Sequence, residues 1–234
     1  MRNVFSIILF FLIASILFSC SNKKNNEERK LVSVSDETIS EVSSEERSVE
    51  LSNSASKIFT RIGIPNTRED SLMMKKALTY LDEAIELDSL NMSARVNKKN
   101  IFVALSEYQS VITVLKGIQL IDTANYYNYM LEGFAYIKLD SIDEADFAFK
   151  KALSIFDKVV QEPLTEEQQL KKILLITILD GEEEGIIQLD NAIAKAGSKK
   201  LRMFKNIIED FDINYFIDNS VFIKSQPLKM QKLN

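Results

Sequence analysis

Two kinds of side chain in this sequence could do chemistry: a single thiol and several groups of carboxylates. Cys20 is the only cysteine. A lone thiol can be acylated, oxidised or recruited to a metal, but it has no partner for an intrachain disulfide. The carboxylates gather at Asp140-Ser141-Ile142-Asp143-Glu144, Glu166-Glu167 and Glu182-Glu183-Glu184. Carboxylate pairs can run glycoside hydrolysis. Here they fall at predicted turns and helix starts, where acids complement the helix dipole and face water. Asp140 to Glu144 does not fit a calcium loop, which needs oxygen ligands spread over about 12 residues with a central glycine. Histidine is absent, which removes the usual base, proton shuttle and zinc ligand. The residues therefore offer no catalytic group and no metal site, and the expectation is a protein that is not an enzyme.

The surroundings of Cys20 give it a different use. It ends an apolar run, Val4-Phe5-Ser6-Ile7-Ile8-Leu9-Phe10-Phe11-Leu12-Ile13-Ala14-Ser15-Ile16-Leu17-Phe18-Ser19, with Arg2 before it and the polar stretch Ser21-Asn22-Lys23-Lys24-Asn25-Asn26 after it. A basic start, an apolar core and a small residue before the cut are the parts of an export signal. The run is short for a membrane span, which needs roughly 20 apolar residues. The segment resembles a bacterial lipoprotein signal peptide, with Leu17-Phe18-Ser19-Cys20 as its lipobox and Phe18 standing where that motif usually has a small residue. The resemblance implies a signal peptide over residues 1–19, cleavage after Ser19, and covalent lipid on Cys20 as the sole cofactor-like group. It also implies a lipid-anchored protein of the cell envelope. Ser21 and Asn22 carry no acidic retention feature, so an outer membrane is the implied destination where the organism has one. On the residues alone, an uncleaved anchor and a cleaved signal without lipid stay open.

Composition bounds the rest. The chain has 234 residues and a net charge of -5, with 29 Lys and Arg against 34 Asp and Glu. That balance argues against a nucleic-acid partner, since phosphate binding wants clustered Lys and Arg. Only 6 glycines and 3 prolines occur, and so few turn residues favour helices over many short strands. Residues 20–55 hold scattered aliphatics among Ser and Glu and no aromatic residue. Such a stretch is expected to be a flexible tether, because it buries too little apolar surface to offset ordering its backbone, with a short frayed helix near Glu45 to Leu51 as the alternative.

From about residue 68 the chain is periodic at two scales. Leu72, Met73, Ala77, Tyr80, Leu81, Ala84 and Ile85 recur three and four apart, the period of an amphipathic helix. The longer period is 34 residues. Ala77, Leu81 and Ala84 are followed at that interval by Val111, Leu115 and Ile118, and again by Ala145, Phe149 and Ala152. The third unit adds Gly133 and Tyr136 upstream. Gly185, Leu189 and Ala192 repeat the spacing 40 residues after the third set, marking a degenerate fourth unit. Pro163 interrupts the chain before it, Thr165 with Gln168 reads as a helix start, and Asp180-Gly181 reads as a turn. Ile173 to Leu179 is expected to be a buried helix, with a strand as the alternative for so aliphatic a run.

These residues resemble the tetratricopeptide repeat, a 34-residue helical hairpin. Ser89 replaces the family's usual proline, and Glu132 stands in a usual leucine place. The resemblance implies an all-α fold, a superhelix of stacked hairpins (an α-solenoid) over residues 56–212. A last amphipathic helix around residues 198–212 would cap the stack. A tail over residues 213–234 carries Tyr215-Phe216-Ile217 and Val221-Phe222-Ile223, which are expected either to float or to pack back. Gly63-Ile64-Pro65 interrupts the first unit, which leaves its first helix short or missing.

The resemblance also implies a concave partner surface lined by the first helix of each unit. Carried over by register, unit two presents Ser93, Val96, Asn100, Val103 and Ala104, and unit three presents Tyr127, Met130, Phe134, Ile137 and Lys138; the alternative for Tyr127, Met130, Phe134 and Ile137 is packing against the neighbouring helix or the C-terminal tail. Surfaces of this kind bind peptides or partner domains. Tyr126, Tyr127 and Tyr129 cannot all face one core, because on a helix they spread over about 300°. Two functions remain in view. One is a tethered scaffold holding a protein or peptide partner in an envelope assembly. The other is a lipoprotein that captures glycans or nutrients for a transport system, which exposed tyrosine rings beside a polar cleft would favour. Self-association through the open end of the stack is a structural third.

Overall fold

The computed structural model describes residues 43–209 and 211–219. Cys20, the signal segment and the tail beyond residue 219 lie outside these described residues. The described chain is all-α. Its helices are α1 (Ser44–Ile62), α2 (Arg68–Leu87), α3 (Met92–Ala104), α4 (Tyr108–Ile121), α5 (Tyr126–Ile137), α6 (Ile142–Val159), α7 (Glu166–Asp180), α8 (Glu182–Ala196), α9 (Lys199–Ile208) and α10 (Ile213–Asn219). They pair as the hairpins α1–α2, α3–α4, α5–α6 and α7–α8, and each second helix packs on the first helix of the next pair. No described helix is long and apolar enough to cross a membrane.

Of the tether expected over residues 20–55, residues 20–42 lie outside the described residues, and from Ser44 onward the chain is instead the helix α1. A capping box starts it: Ser43 Oγ accepts from the Glu46 amide at 3.2 Å, and a Glu46 carboxylate oxygen accepts from the Ser43 amide at 3.1 Å. Leu51 and Ala55 are buried with Ser48 and Ser52 on one face. Counting aliphatics understated this segment, since small side chains let a helix approach its neighbour closely without many large ones. Gly63, at φ 65°, ends α1. A second capping box, Thr67 with Asp70, opens α2.

The 34-residue period is visible in the backbone. In the α3–α4 turn, the Ser106 amide donates to Val103 O at 3.0 Å and the Glu107 amide to Phe102 O at 2.9 Å. In the α5–α6 turn, the Asp140 amide donates to Ile137 O at 3.1 Å and the Ser141 amide to Tyr136 O at 3.0 Å. Each residue of the second set lies 34 after its counterpart. Both pairs are the bonds of a Schellman turn, which needs a left-handed residue at its corner. Ser106 at φ 58° and Asp140 at φ 56° occupy it. The fourth hairpin turns differently, through Gly181 at φ 97°. Its α7 starts at the Thr165–Gln168 capping box and is helical throughout, so the strand alternative for residues 173–179 is excluded.

Hairpin contacts follow from residue size. A Cβ added to Gly133 would meet Phe149 Cε1 at 2.6 Å, and one on Gly185 would meet Thr177 Oγ1 at 2.1 Å. Ala77, Leu81, Ala84, Val111, Leu115, Ile118, Ala145, Phe149, Ala152 and Leu189 are all buried, whereas Tyr136 and Ala192 are only partly so. Two apolar clusters result. The first joins Leu51, Ala55, Met74, Ala77, Leu81, Ala84, Ala94 and Ile101. The second runs from Val103 through the remaining hairpins to Ile217. The helix expected over residues 198–212 stops at Ile208, and after Asp212 the chain forms α10.

Candidate functional site

The inner-face positions divide into two groups. Ser93 and Val96 on α3 are exposed, and Asn100, Tyr127 and Lys138 keep partial solvent access. Val103, Ala104, Met130, Phe134 and Ile137 are buried. The expected partner face is therefore not open at those five positions. At Phe134 part of the cover comes from α10. Phe216 is 6% exposed and Ile217 is 0% exposed, and both join the same cluster as Met130, Phe134 and Ile137. The Phe216 ring stands 5.9 Å from the Phe134 ring and 5.7 Å from the Phe211 ring, each at 45°. Phe134 also meets Phe149 edge-on at 5.3 Å. Offset and edge contacts of this kind are the favoured aromatic arrangements.

The three tyrosines are used inside the molecule. Tyr126 sits edge-on to Phe156 at 4.9 Å. Tyr127 lies under the Lys171 ammonium at 5.8 Å, and Lys171 donates to Glu167 at 2.7 Å. Burial raises the Tyr129 phenol above its ordinary range, with the charges of Glu132 and Asp122 adding to it. All three rings are partly buried, and those of Tyr126 and Tyr127 are engaged at helix junctions.

Two positions depart from the 34-residue pattern, and a junction hydrogen bond accounts for the first. Glu132, in a usual leucine place, is 7% exposed and accepts a hydrogen bond from Gln119 Nε2 at 2.7 Å across the α4–α5 junction. Lys99 lies 34 residues before Gly133, at the register position where the third hairpin needs glycine. A lysine there crowds its ammonium with protein atoms. It retains part of its accessible surface, yet desolvation alone lowers its pKa from 10.5 to about 8.

A second polar set ties α1 to the stack. Ser48 Oγ donates to Ala84 O at 2.7 Å and accepts from Asn91 Nδ2 at 2.8 Å, all buried. Asn91 Oδ1 accepts from the Ala94 amide at 2.9 Å and so caps α3. The sequence hid this set because the first half of α1, up to residue 55, reads as tether. The signals for it were Ser43-x-x-Glu46 and the spacing of Leu51, Ala55, Ile58 and Phe59.

The carboxylate groups are structural where their contacts are seen. Glu166 accepts from the Ser198 hydroxyl, Glu167 pairs with Lys171, and Glu184 accepts from Gln188 at 2.7 Å. Asp140 holds a turn. Among the described residues no group of three His, Cys, Asp or Glu is placed to hold a metal. The chain matches no protein-family model, and no curated protein matches it. The arrangement defines a class by its fold alone: a stack of helical hairpins, an architecture suited to holding a protein or peptide.

Proposed function

We propose that this chain is a non-enzymatic, tetratricopeptide-like scaffold that holds a protein or peptide partner in a bacterial cell-envelope assembly, tethered to the membrane by lipid on Cys20. The hairpin stack carries the reading, since successive first helices present side chains on one shared side. Schellman turns displaced by 34 residues support the repeat family. The anchor is supported by the run from Val4 to Cys20. The partner-facing residues are Ser93, Val96 and Asn100 on α3 and the flanks Tyr127 and Lys138, which keep access to solvent. The glycan-capture alternative needed exposed tyrosine platforms, and the engagement of Tyr126 with Phe156 and of Tyr127 with Lys171 leaves it only the partly buried Tyr129.

A photo-crosslinking amino acid at Val96 or Asn100 in intact cells tests the proposal. Its control is the same group at Lys150 on the exposed side of α6. A discrete protein adduct from the first two positions and none from the third is expected. No adduct from any position would sink the scaffold reading.

A further inference from the structure

We propose that the stack opens as two units, α1–α3 and α4–α10, which meet at a weak seam between α3 and α4. The seam lets Ser93, Val96 and Asn100 on α3 move relative to Tyr127 and Lys138 beyond it. That use of the motion rests on the scaffold reading, whereas the motion itself does not. Three observations carry the seam.

The first is the division of the core. The apolar cluster of the N-terminal helices ends with Ala94 and Ile101 of α3, and the second cluster begins at Val103 and takes in the helices from α4 onward. Side chains tie α3 to those N-terminal helices. Asn91 Nδ2 donates to Ser48 Oγ at 2.8 Å, Asn97 Nδ2 donates to Ser52 Oγ at 3.4 Å, and Lys98 pairs with Asp82. The second is the helix crossing. Gly133 lets α5 close on α6 against the Phe149 ring. At the same register α3 has Lys99 and α4 has Leu115, and these two helices lie in looser contact than α5 and α6 do. The third is a pair of orphaned polar atoms. The Arg95 guanidinium rests over Gly117 of α4, where an added Cβ would meet Nη1 at 2.9 Å, and its Nε is buried without a hydrogen-bond partner. Ser106 Oγ, in the α3–α4 turn, is buried and unpartnered too. A buried polar atom left unpaired weakens the contact that buries it. Stacked repeats open where the interface between neighbours is weakest.

Hydrogen exchange of the full chain, read by mass spectrometry, tests the seam. The amides between Ala77 and Ala84 in α2 should exchange together with those of α1 and α3, about tenfold or more faster than those between Ala145 and Ala152 in α6. Equal protection in α2 and α6 overturns the proposal, as does fast exchange confined to α1, which is fraying of a chain end. L81A cuts a buried side chain of the first cluster. It should speed exchange in α1–α3 at least about tenfold and leave α6 within about twofold. Complete loss of protection in α1–α3 with α6 unchanged is the same result at its limit. Acceleration that spreads to α6 means one cooperative core and overturns the proposal. K99M removes the charge from the crossing and should bring the α1–α3 rates closer to those of α6. No change in K99M would overturn the placement of the seam at Lys99. Failure here leaves the crosslinking result at Val96 and Asn100 untouched, so the two readings fail separately.

Discussion

Gly133 on α5 and Phe149 on α6 leave no room between them for a methyl group: a Cβ at Gly133 would lie 2.6 Å from the Phe149 ring. The ring is 1% exposed and is held edge-on by Phe134, so it cannot swing away into solvent. G133A is expected to destabilise the protein by about 1–3 kcal/mol through overpacking. Adding F149L, which shortens the obstructing side chain, should recover part of that loss. Denaturant melts of the two variants check this, and a double variant no better than G133A would place the strain elsewhere.

Ser48 links α1 to two other elements, donating to Ala84 O and accepting from Asn91. S48A leaves a buried amide donor and a buried carbonyl without this partner and should cost about 1–3 kcal/mol. N91A should cost at least as much, since it also removes the cap of α3. The double variant should cost less than the sum of the single ones, because both remove the same bond. Strict additivity in chemical denaturation would show that the contact contributes nothing.

These two regions mark how far the sequence could be read. The 34-residue spacing of Ala77, Val111 and Ala145 exposed the hairpins, because small and large residues recur where two helices must touch. Gly133 was legible for the same reason. The helix α1 was not, since its close face is built from Ser48, Ser52 and Ala55, residues that look like linker in a composition count. Phe216 was legible only as one of two alternatives: an aromatic group in a tail can float or pack back, and no local pattern chooses Phe134, more than 80 residues earlier, as its contact.

Lys99 gives the account a pH signature. Its folded pKa is about 8 against 10.5 for the free side chain, through desolvation. Below pH 8 both states hold the proton, and the folded state carries the full penalty of a crowded charge. Between about pH 8 and 10.5 the folded chain releases the proton that the unfolded chain keeps, so the penalty fades as pH rises. K99M should therefore be more stable than the parent at pH 7. The gain should be no more than about 3 kcal/mol, reduced by whatever solvent still reaches the side chain. It should shrink toward pH 10.5. Melts of both proteins across that range decide it, and a difference that does not change with pH would remove Lys99 from the account.

The proposed anchor has its own readout. Growth with a labelled fatty acid should mark the parent protein and leave C20S unlabelled. Label retained on C20S would refute lipidation at this residue.

The central claim is that α10 folds back onto the hairpin stack, and the Phe134–Phe216 contact expresses it. An aromatic nuclear Overhauser spectrum of the full chain measures that contact directly. The Phe134–Phe149 pair, at 5.3 Å between ring centres, supplies an internal standard for the Phe134–Phe216 pair at 5.9 Å. The account predicts cross-peaks for both pairs. A strong Phe134–Phe149 signal with no Phe134–Phe216 signal would contradict it.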